Sequence, residues 1–171
     1  LLSIRVLCGN PRSVICTVDL DDELLGKPIK IVRDLYEADQ DLDATFGGLV
    51  HTKKPVQYAI DASRPVPTKG ARGEPFWIHL TRTFRKFLFD SIRASDLGAD
   101  RFHRGIDRAF SVPIWEQSRK TKALEGDLYR YEPDTPKNRN DLEASITEIM
   151  ALPPYSRRRY TVAVVGDSTI H

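Results

Sequence analysis

Two kinds of hydrophobic spacing organise the first third of the chain. Two runs rich in β-branched residues flank the turn-forming stretch CGNPR, and together they predict a β-hairpin over residues 3–20. Residues 28–39 place apolar side chains three and four positions apart, behind a proline that suits a first helical turn, which predicts a helix. Residues 41–49 contain a Gly-Gly pair and indicate a loop, whereas the alternation over residues 55–62 predicts a strand.

Helical spacing dominates the second half of the chain. Within residues 76–94 the large apolar side chains fall within about 100° of arc, which predicts one amphipathic helix with a buried stripe. The stripe consists of Trp77, Leu80, Phe84, Phe87 and Leu88. The other predicted elements are helices near residues 99–110, 113–124 and 140–152, a loop or edge strand over 126–140, and an apolar strand over 158–166.

This order of elements predicts an α+β fold. We expect a small mixed β-sheet, built from the N-terminal hairpin, one central strand and the C-terminal strand, with four to five helices packed mainly on one side. A chain of 171 residues suits a single domain over residues 1–171. The stretch 63–75 is rich in proline, glycine and basic residues, and a boundary between two subdomains is predicted there.

Few residues point to metal or cofactor chemistry. The four histidines and two cysteines lack the close spacings of zinc ligands, so we expect neither a metal nor a cofactor. Cys8 and Cys16 are expected to be small buried side chains. The sequence has no run of about 18 apolar residues. We therefore expect no transmembrane segment and an intracellular location, in the cytoplasm or an organelle matrix.

Charge changes this picture because it is unevenly distributed. Residues 64–130 carry 14 Lys and Arg against 8 Asp and Glu, and such a basic block favours an anionic partner. Basic residues line one side of the predicted 76–94 helix, with Phe89 expected to be exposed beside them, in a row that can follow phosphates. The candidate binding residues are Arg64, Lys69, Arg72, His79, Arg82, Lys86, Phe89, Arg93, Arg101, Arg104, Arg108, Arg157, Arg158 and Arg159.

These features predict a non-enzymatic assembly or structural protein that binds RNA or another polyanion through residues 64–108. A subunit of a ribonucleoprotein particle or a viral internal protein fits this description, with protein partners in a larger assembly. A homo-oligomer is compatible with it. The alternative is a protein-interaction module whose basic helix docks on an acidic partner. In either case, long Lys and Arg side chains can also simply solvate the outer face of a helix.

The C-terminal stretch VAVVGDST, residues 162–169, supports a third hypothesis. Its turn at residues 166–168, behind an apolar strand, resembles the opening block of the SGNH or GDSL hydrolases. The resemblance implies an enzyme, or an enzyme fragment, in which Ser168 is the nucleophile. That family also needs an Asp-x-x-His further along the chain, and none follows Ser168 in the sequence. We rank the enzyme hypothesis behind the other two.

Overall fold

The computed structural model describes residues 8–19, 22–51, 72, 82–98, 102, 105–131 and 139–157. Within these ranges the chain forms five strands and five helices. The strands are β1 (Val14–Thr17), β2 (Glu23–Leu24), β3 (Ala44–His51), β4 (Arg82–Arg85) and β5 (Thr121–Tyr131). The helices are α1 (Pro28–Ala38), α2 (Lys86–Asp90), α3 (Ala94–Leu97), α4 (Ile106–Gln117) and α5 (Arg139–Ala151).

The five strands form one mixed sheet in the order β1-β4-β3-β5-β2. The two longest strands, β3 and β5, run parallel at its centre, and every other neighbouring pair is antiparallel. The register of the central pair shifts between Gly47 and Leu49, where Gly47 adopts a φ of 107° that favours glycine. A mixed sheet with separate helices confirms the predicted α+β class.

Helix α1 covers one face of this sheet. Its i, i+4 pair Val32 and Tyr36 is buried against Leu42, Leu124 and Leu128, in the manner of an amphipathic helix. Helices α2, α3 and α4 lie on the other face, where a second cluster joins them to the sheet, and α5 packs on α4 through Ile149 and Ala109. This second cluster consists of Ala44, Phe84, Leu88, Phe89, Ile92, Leu97, Phe110 and Ile114. Two separate apolar layers therefore hold the sheet between them.

Strand β4 shows how the two layers are separated. Its side chains alternate, so that Phe84 enters the core under α2 to α4 while Thr83 and Arg85 face α1. Strand β1 pairs with β4 and alternates in the same way, since Val14 packs on the α1 side and Ile15 on the other. The α1 side of these two strands thus carries both apolar and polar groups.

Several predicted elements are confirmed. The helix expected at 28–39 is α1, and the helix expected at 140–152 is α5. The turn expected at CGNPR is present, because the Ser13 amide donates to the Asn10 carbonyl at 3.1 Å and the Arg12 amide donates to Asn10 Oδ1 at 2.9 Å. β1 follows this turn, and the first strand of the predicted hairpin lies outside the described residues.

Other predictions are wrong because these segments pair with strands that are distant in the sequence. The loop expected at 41–49 is largely strand β3, since Ala44 and Thr45 pair with β4, and the strand pairs with β5 on both sides of the register shift at Gly47. Within the range 76–94, expected to be one helix, residues 82–85 form strand β4, whose ladders to β1 and β3 override the helical spacing. The helix expected at 113–124 ends at Gln117 as part of α4, which contains Pro113, and β5 follows.

In the described part of the range 99–110, Phe102 and Gly105 are not helical, and α4 begins at Ile106. Within the range 126–140, expected to be a loop or an edge strand, the described residues up to Tyr131 continue strand β5, and this strand lies between β3 and β2. The predicted strands at 55–62 and 158–166, and the stretch 63–75 apart from Arg72, lie outside the described residues. None of the described helices combines the length and the apolar character that a bilayer crossing requires.

Candidate functional site

The structure describes six of the side chains predicted to bind a polyanion: Arg72, Lys86, Phe89, Arg93, Arg108 and Arg157. Arg82 lies in β4, but its side chain is outside the described part of the chain. The described residues do not include Arg64, Lys69, His79, Arg101, Arg104, Arg158, Arg159, or Ser168 of the enzyme hypothesis. The role of the basic block, residues 64–130, is therefore assessed from these described side chains.

Arg72 is held inside the fold by a carboxylate. Its Nε and Nη2 donate to the two carboxylate oxygens of Glu116 at 2.7 and 3.1 Å, and its Nη1 donates to the Ile149 carbonyl. Only 12% of the Arg72 side chain and 2% of the Glu116 side chain are exposed. This arginine links α4 to α5, and binding a phosphate there requires a buried two-bond ion pair to break.

Lys86 and Phe89 do not lie on a solvent-facing side, so the expectation that they are exposed is wrong. Lys86 is 4% exposed, and its Nζ donates to the two Asp90 carboxylate oxygens at 2.8 and 2.6 Å. Phe89 is fully buried, with its ring centroid 6.2 Å from that of Phe84 and 6.4 Å from that of Phe110. The short helix α2 packs on β4 and α4, and Phe89 belongs to the core between them.

Arg93 is exposed, but it too has partners within the fold. Its Nε donates to Asp96 Oδ2 at 2.8 Å, and its guanidinium carbon lies 4.7 Å from the centroid of the Tyr155 ring. The Tyr155 hydroxyl donates to Asp96 at 2.8 Å. Burial alone would raise the pKa of Asp96, but hydrogen bonds from Arg93, Tyr155 and Ser95 hold it below its usual range. Of the other two candidates, Arg108 is half-buried and Arg157 is exposed.

A pocket of about 380 Å³ opens on the α1 side of the sheet, next to the edge formed by β1. We call it the α1 pocket. It is lined by Val14, Cys16, Ile29, Val32, Arg33, Tyr36, Glu37, Gln40 and Arg85. This volume lies toward the lower end of the roughly 300–1,000 Å³ that is typical of small-molecule sites. The lining is largely apolar, with a few polar groups in defined positions.

Arg85 is the buried charged group among the described residues that line this pocket. It is 8% exposed, and its guanidinium lies over the Tyr36 ring at 4.7 Å from the centroid. Its Nε donates to the Leu42 carbonyl at 3.2 Å, its Nη1 to the Arg12 carbonyl at 2.8 Å, and its Nη2 to the Gln40 carbonyl at 3.4 Å. These bonds fix the guanidinium between the turn before β1 and the loop after α1.

The bonds of Arg85 leave its charge and part of its donor capacity unmatched. A guanidinium has five N–H donors, and three of them are used here on neutral carbonyls. Among the described residues, no carboxylate lies within ion-pair distance of it. A buried charge without a counter-ion is costly, and buried arginines are ordinarily paired. The two terminal nitrogens each retain one N–H for a further acceptor.

The other titratable groups deep in the pocket stay neutral near pH 7. Burial raises the pKa of Tyr36, whose hydroxyl accepts from Thr83 at 3.2 Å and donates to the Asp43 carbonyl at 3.4 Å. Burial also raises the pKa of the Cys16 thiol, which keeps it protonated. A phenol and a thiol in these states offer neither a general base nor an activated nucleophile. The arrangement is suited to binding.

The rim of the pocket lies on the exposed side of α1. Arg33 pairs there with Asp34 at 3.1 Å and with Glu37 at 3.7 Å. The Gln40 side-chain nitrogen donates to the Tyr36 and Glu37 carbonyls. Ile29 is 57% exposed and continues the apolar lining outward to solvent. A ligand thus meets a charged rim before it reaches the apolar walls.

Metal chemistry finds no support in the described ranges, where no three His, Cys, Asp or Glu side chains are grouped as ligands. The sequence matches no protein-family model and none of the curated proteins. The function of the α1 pocket is therefore inferred from its geometry.

Sequence reasoning missed Arg85, although the residue types carried one signal. In a helical arrangement, Arg85 lies on neither the apolar stripe nor the basic row of residues 76–94. As a strand, the stretch Arg82–Arg85 puts Arg85 and Thr83 on the same side, opposite Phe84. That alternation spans only four residues, too few to outweigh the helical spacing around it.

Proposed function

We propose that this protein is a non-enzymatic binding protein for a small organic anion, which it takes up in the α1 pocket. The observation that supports this most strongly is Arg85, a 92% buried cation that lines the pocket and lacks a counter-ion among the described residues. An anion in the pocket supplies that counter-ion.

The energetics favour this occupant over a neutral one. A hydrogen bond to a charged group contributes about 1.5–3 kcal/mol, roughly twice the value for a neutral pair. Arg85 is already fixed by three bonds to backbone carbonyls, so little side-chain entropy is lost when an anion binds. Its guanidinium is also desolvated before the ligand arrives. The desolvation of the guanidinium, which usually weakens ion pairs, has therefore already taken place on folding and does not reduce the affinity for the anion.

Binding of RNA or another polyanion through residues 64–108 stays a prediction, as does docking on an acidic protein partner. The described side chains favour the smaller ligand. Arg72 and Lys86 already have carboxylate partners at short distance, and Phe89 is in the core. Arg85, which the prediction did not include, has no carboxylate partner in the part of the chain that the structure describes. The hypothesis of a hydrolase at Ser168 also stays untested.

The test compares an anion with a neutral molecule of nearly the same shape. Hexanoate and hexanamide are titrated separately into the protein at pH 7.5, with affinity measured by calorimetry and the site located from amide chemical shifts. We expect hexanoate to bind severalfold more tightly, since both molecules can accept a hydrogen bond from Arg85 but only hexanoate neutralises its charge. The largest shifts should fall on β1 and α1. Equal affinities for the two molecules would rule out the proposed function.

Substitutions at the rim provide the matched control. Replacing Arg85 removes three bonds to the backbone and endangers the fold, so the charge is changed at Ile29 instead. Ile29→Glu places a carboxylate at the mouth of the pocket and should weaken hexanoate binding severalfold. Ile31→Glu makes the same change on the same helix at a 39% exposed position that does not line the pocket, and should leave affinity unchanged. An identical response of the two variants contradicts the placement of the site.

A further inference from the structure

We infer that the anion bound in the α1 pocket is a monocarboxylate carried on a short apolar body, in preference to a phosphate ester. This inference rests on the proposed function and makes it more specific. Three properties of the lining support it: the number of donors left to bind the anion, the charge balance of the pocket, and the composition of its walls.

The donors left for the anion match two acceptor oxygens. Arg85 retains one N–H on each of its terminal nitrogens, and a planar carboxylate presents two oxygens to such a fork. The side-chain donors of Tyr36 and Gln40 are already used on backbone carbonyls. The Cys16 thiol is at most a weak donor. A phosphate group has three terminal oxygens, and the described side chains of the inner lining leave at least one of them without a strong donor.

The charge balance also favours a single negative charge. Among the described residues, the lining contains two cations, Arg33 and Arg85, and one carboxylate, Glu37. Arg33 lies at the rim and already pairs with Asp34 and Glu37, so within this described lining Arg85 provides the unpaired positive charge. A carboxylate neutralises it. A phosphate monoester, which carries close to two charges at pH 7.5, leaves an excess negative charge in a partly desolvated site beside Glu37.

The walls provide the third constraint. Val14, Ile29 and Val32 line the pocket from both the strand and the helix side, and Cys16 adds a small apolar surface. Each CH₂ group buried there raises affinity roughly fourfold. A ligand of this site therefore gains affinity from a hydrocarbon portion as well as from its charge. A sugar or a nucleotide presents hydroxyl groups to these walls and loses their hydrogen bonds to water.

The discriminating experiment keeps the tail constant and changes the head group. Hexanoate, hexyl phosphate and hexyl sulfate are each titrated into the protein at pH 7.5 by calorimetry. We expect hexanoate to bind at least about tenfold more tightly than hexyl phosphate, which meets both a donor deficit and charge repulsion. Hexyl sulfate, which has a single charge but three terminal oxygens, should lie between them.

The possible outcomes separate this inference from the proposed function. If hexyl phosphate or hexyl sulfate binds as tightly as hexanoate, the inference is overturned while the anion-binding function stands. If none of the three binds, both fail. If shortening hexanoate to acetate leaves the affinity unchanged, the apolar walls do not contribute and the assignment to a carboxylate with an apolar body is wrong.

A variant of Glu37 tests the charge balance directly. Glu37→Gln removes the carboxylate at the rim, which should raise affinity for hexyl phosphate more than affinity for hexanoate and so narrow the ratio between them severalfold. Glu23→Gln is the matched control, because it removes an exposed, paired carboxylate from β2 at the other end of the strand order. An unchanged ratio in Glu37→Gln, or the same change in both variants, contradicts this reasoning.

Discussion

The substitution Lys86→Glu tests most directly whether the basic block of this chain faces solvent or supports the fold. Lys86 begins α2, and 6% of its side chain is exposed. Both carboxylate oxygens of Asp90, one turn later, lie within 2.8 Å of its Nζ. Reversing the charge replaces this ion pair with two neighbouring carboxylates in a nearly buried position.

The expected loss of stability can be estimated from the burial of the two partners. Removing one member of a buried ion pair costs about 3–5 kcal/mol, because the remaining charge stays uncompensated. Asp90 keeps 33% of its side chain in water and can be partly solvated, which lowers this cost. Repulsion between the two carboxylates raises it again. We expect a loss of about 3 kcal/mol, which for a chain of this size lowers the melting temperature by roughly 6–12 °C.

Thermal unfolding followed by circular dichroism measures this shift, and Lys30→Glu is the matched control. Lys30 and Asp34 have the same i, i+4 arrangement on α1, but their side chains are 59% and 45% exposed. Water and salt screen such a pair, so its melting temperature should change far less than that of Lys86→Glu. If Lys86→Glu melts at the wild-type temperature, Lys86 is a surface cation and the burial argued above is wrong.

Two further predictions concern the core and the response to acid. Phe89→Ala should lower the free energy of unfolding, measured in urea, by about 3–5 kcal/mol because the Phe89 side chain is fully buried. Phe87→Ala should lower it by clearly less, because the Phe87 side chain is only partly buried. Equal losses in the two variants would contradict the core assignment. Because the pKa of Asp96 is lower in the folded chain, its contribution to stability is present above its unfolded pKa, about 3.9, and is lost as the pH falls through the folded value. Asp96→Asn should therefore destabilise more at pH 6 than at pH 2, as judged by urea midpoints, whereas an equal loss at both pH values excludes this linkage.

Elements whose signals are local were predicted well. The spacing of Ile29, Val32, Leu35 and Tyr36 behind Pro28 predicts α1. Val32 and Tyr36 form its buried face, whereas Ile29 is 57% exposed. The turn at Asn10 forms because that side chain accepts a hydrogen bond from the backbone two residues later. Each of these signals lies within one helix or one reverse turn. No distant partner is required to interpret them.

The strands at the centre of the sheet were predicted poorly because their stability comes from distant neighbours. Ala44 pairs with Thr121 across 77 positions of sequence and with Phe84 on its other side. The segment around Gly47, which indicates a loop when considered alone, forms part of β3 through these pairings. Strand propensity depends strongly on such context.

For the candidate site, too, the sequence predicted the local property and missed the distant contacts. Composition correctly indicated a basic chain segment, but the segment's formal charge did not reveal which cations are neutralised within the fold. Arg72 and Glu116 are separated by 44 residues, and no spacing rule connects them. Arg85 and Lys86 are neighbours in the sequence, but Arg85 donates to three carbonyls whereas Lys86 pairs with the Asp90 carboxylate.

The sequence by itself determined the fold class, the helices α1 and α5, and an excess of positive charge in the middle of the chain. The tertiary structure alone decided which of those charges lack a partner and which surface is a pocket. The physical reason is that hydrophobic periodicity acts over three or four residues, whereas the pairing of a buried charge is settled by groups that meet only when the sheet forms. Arg85 has three carbonyls and an aromatic ring around it, drawn from β1, α1 and the segments beside them, and that combination exists only in the folded chain.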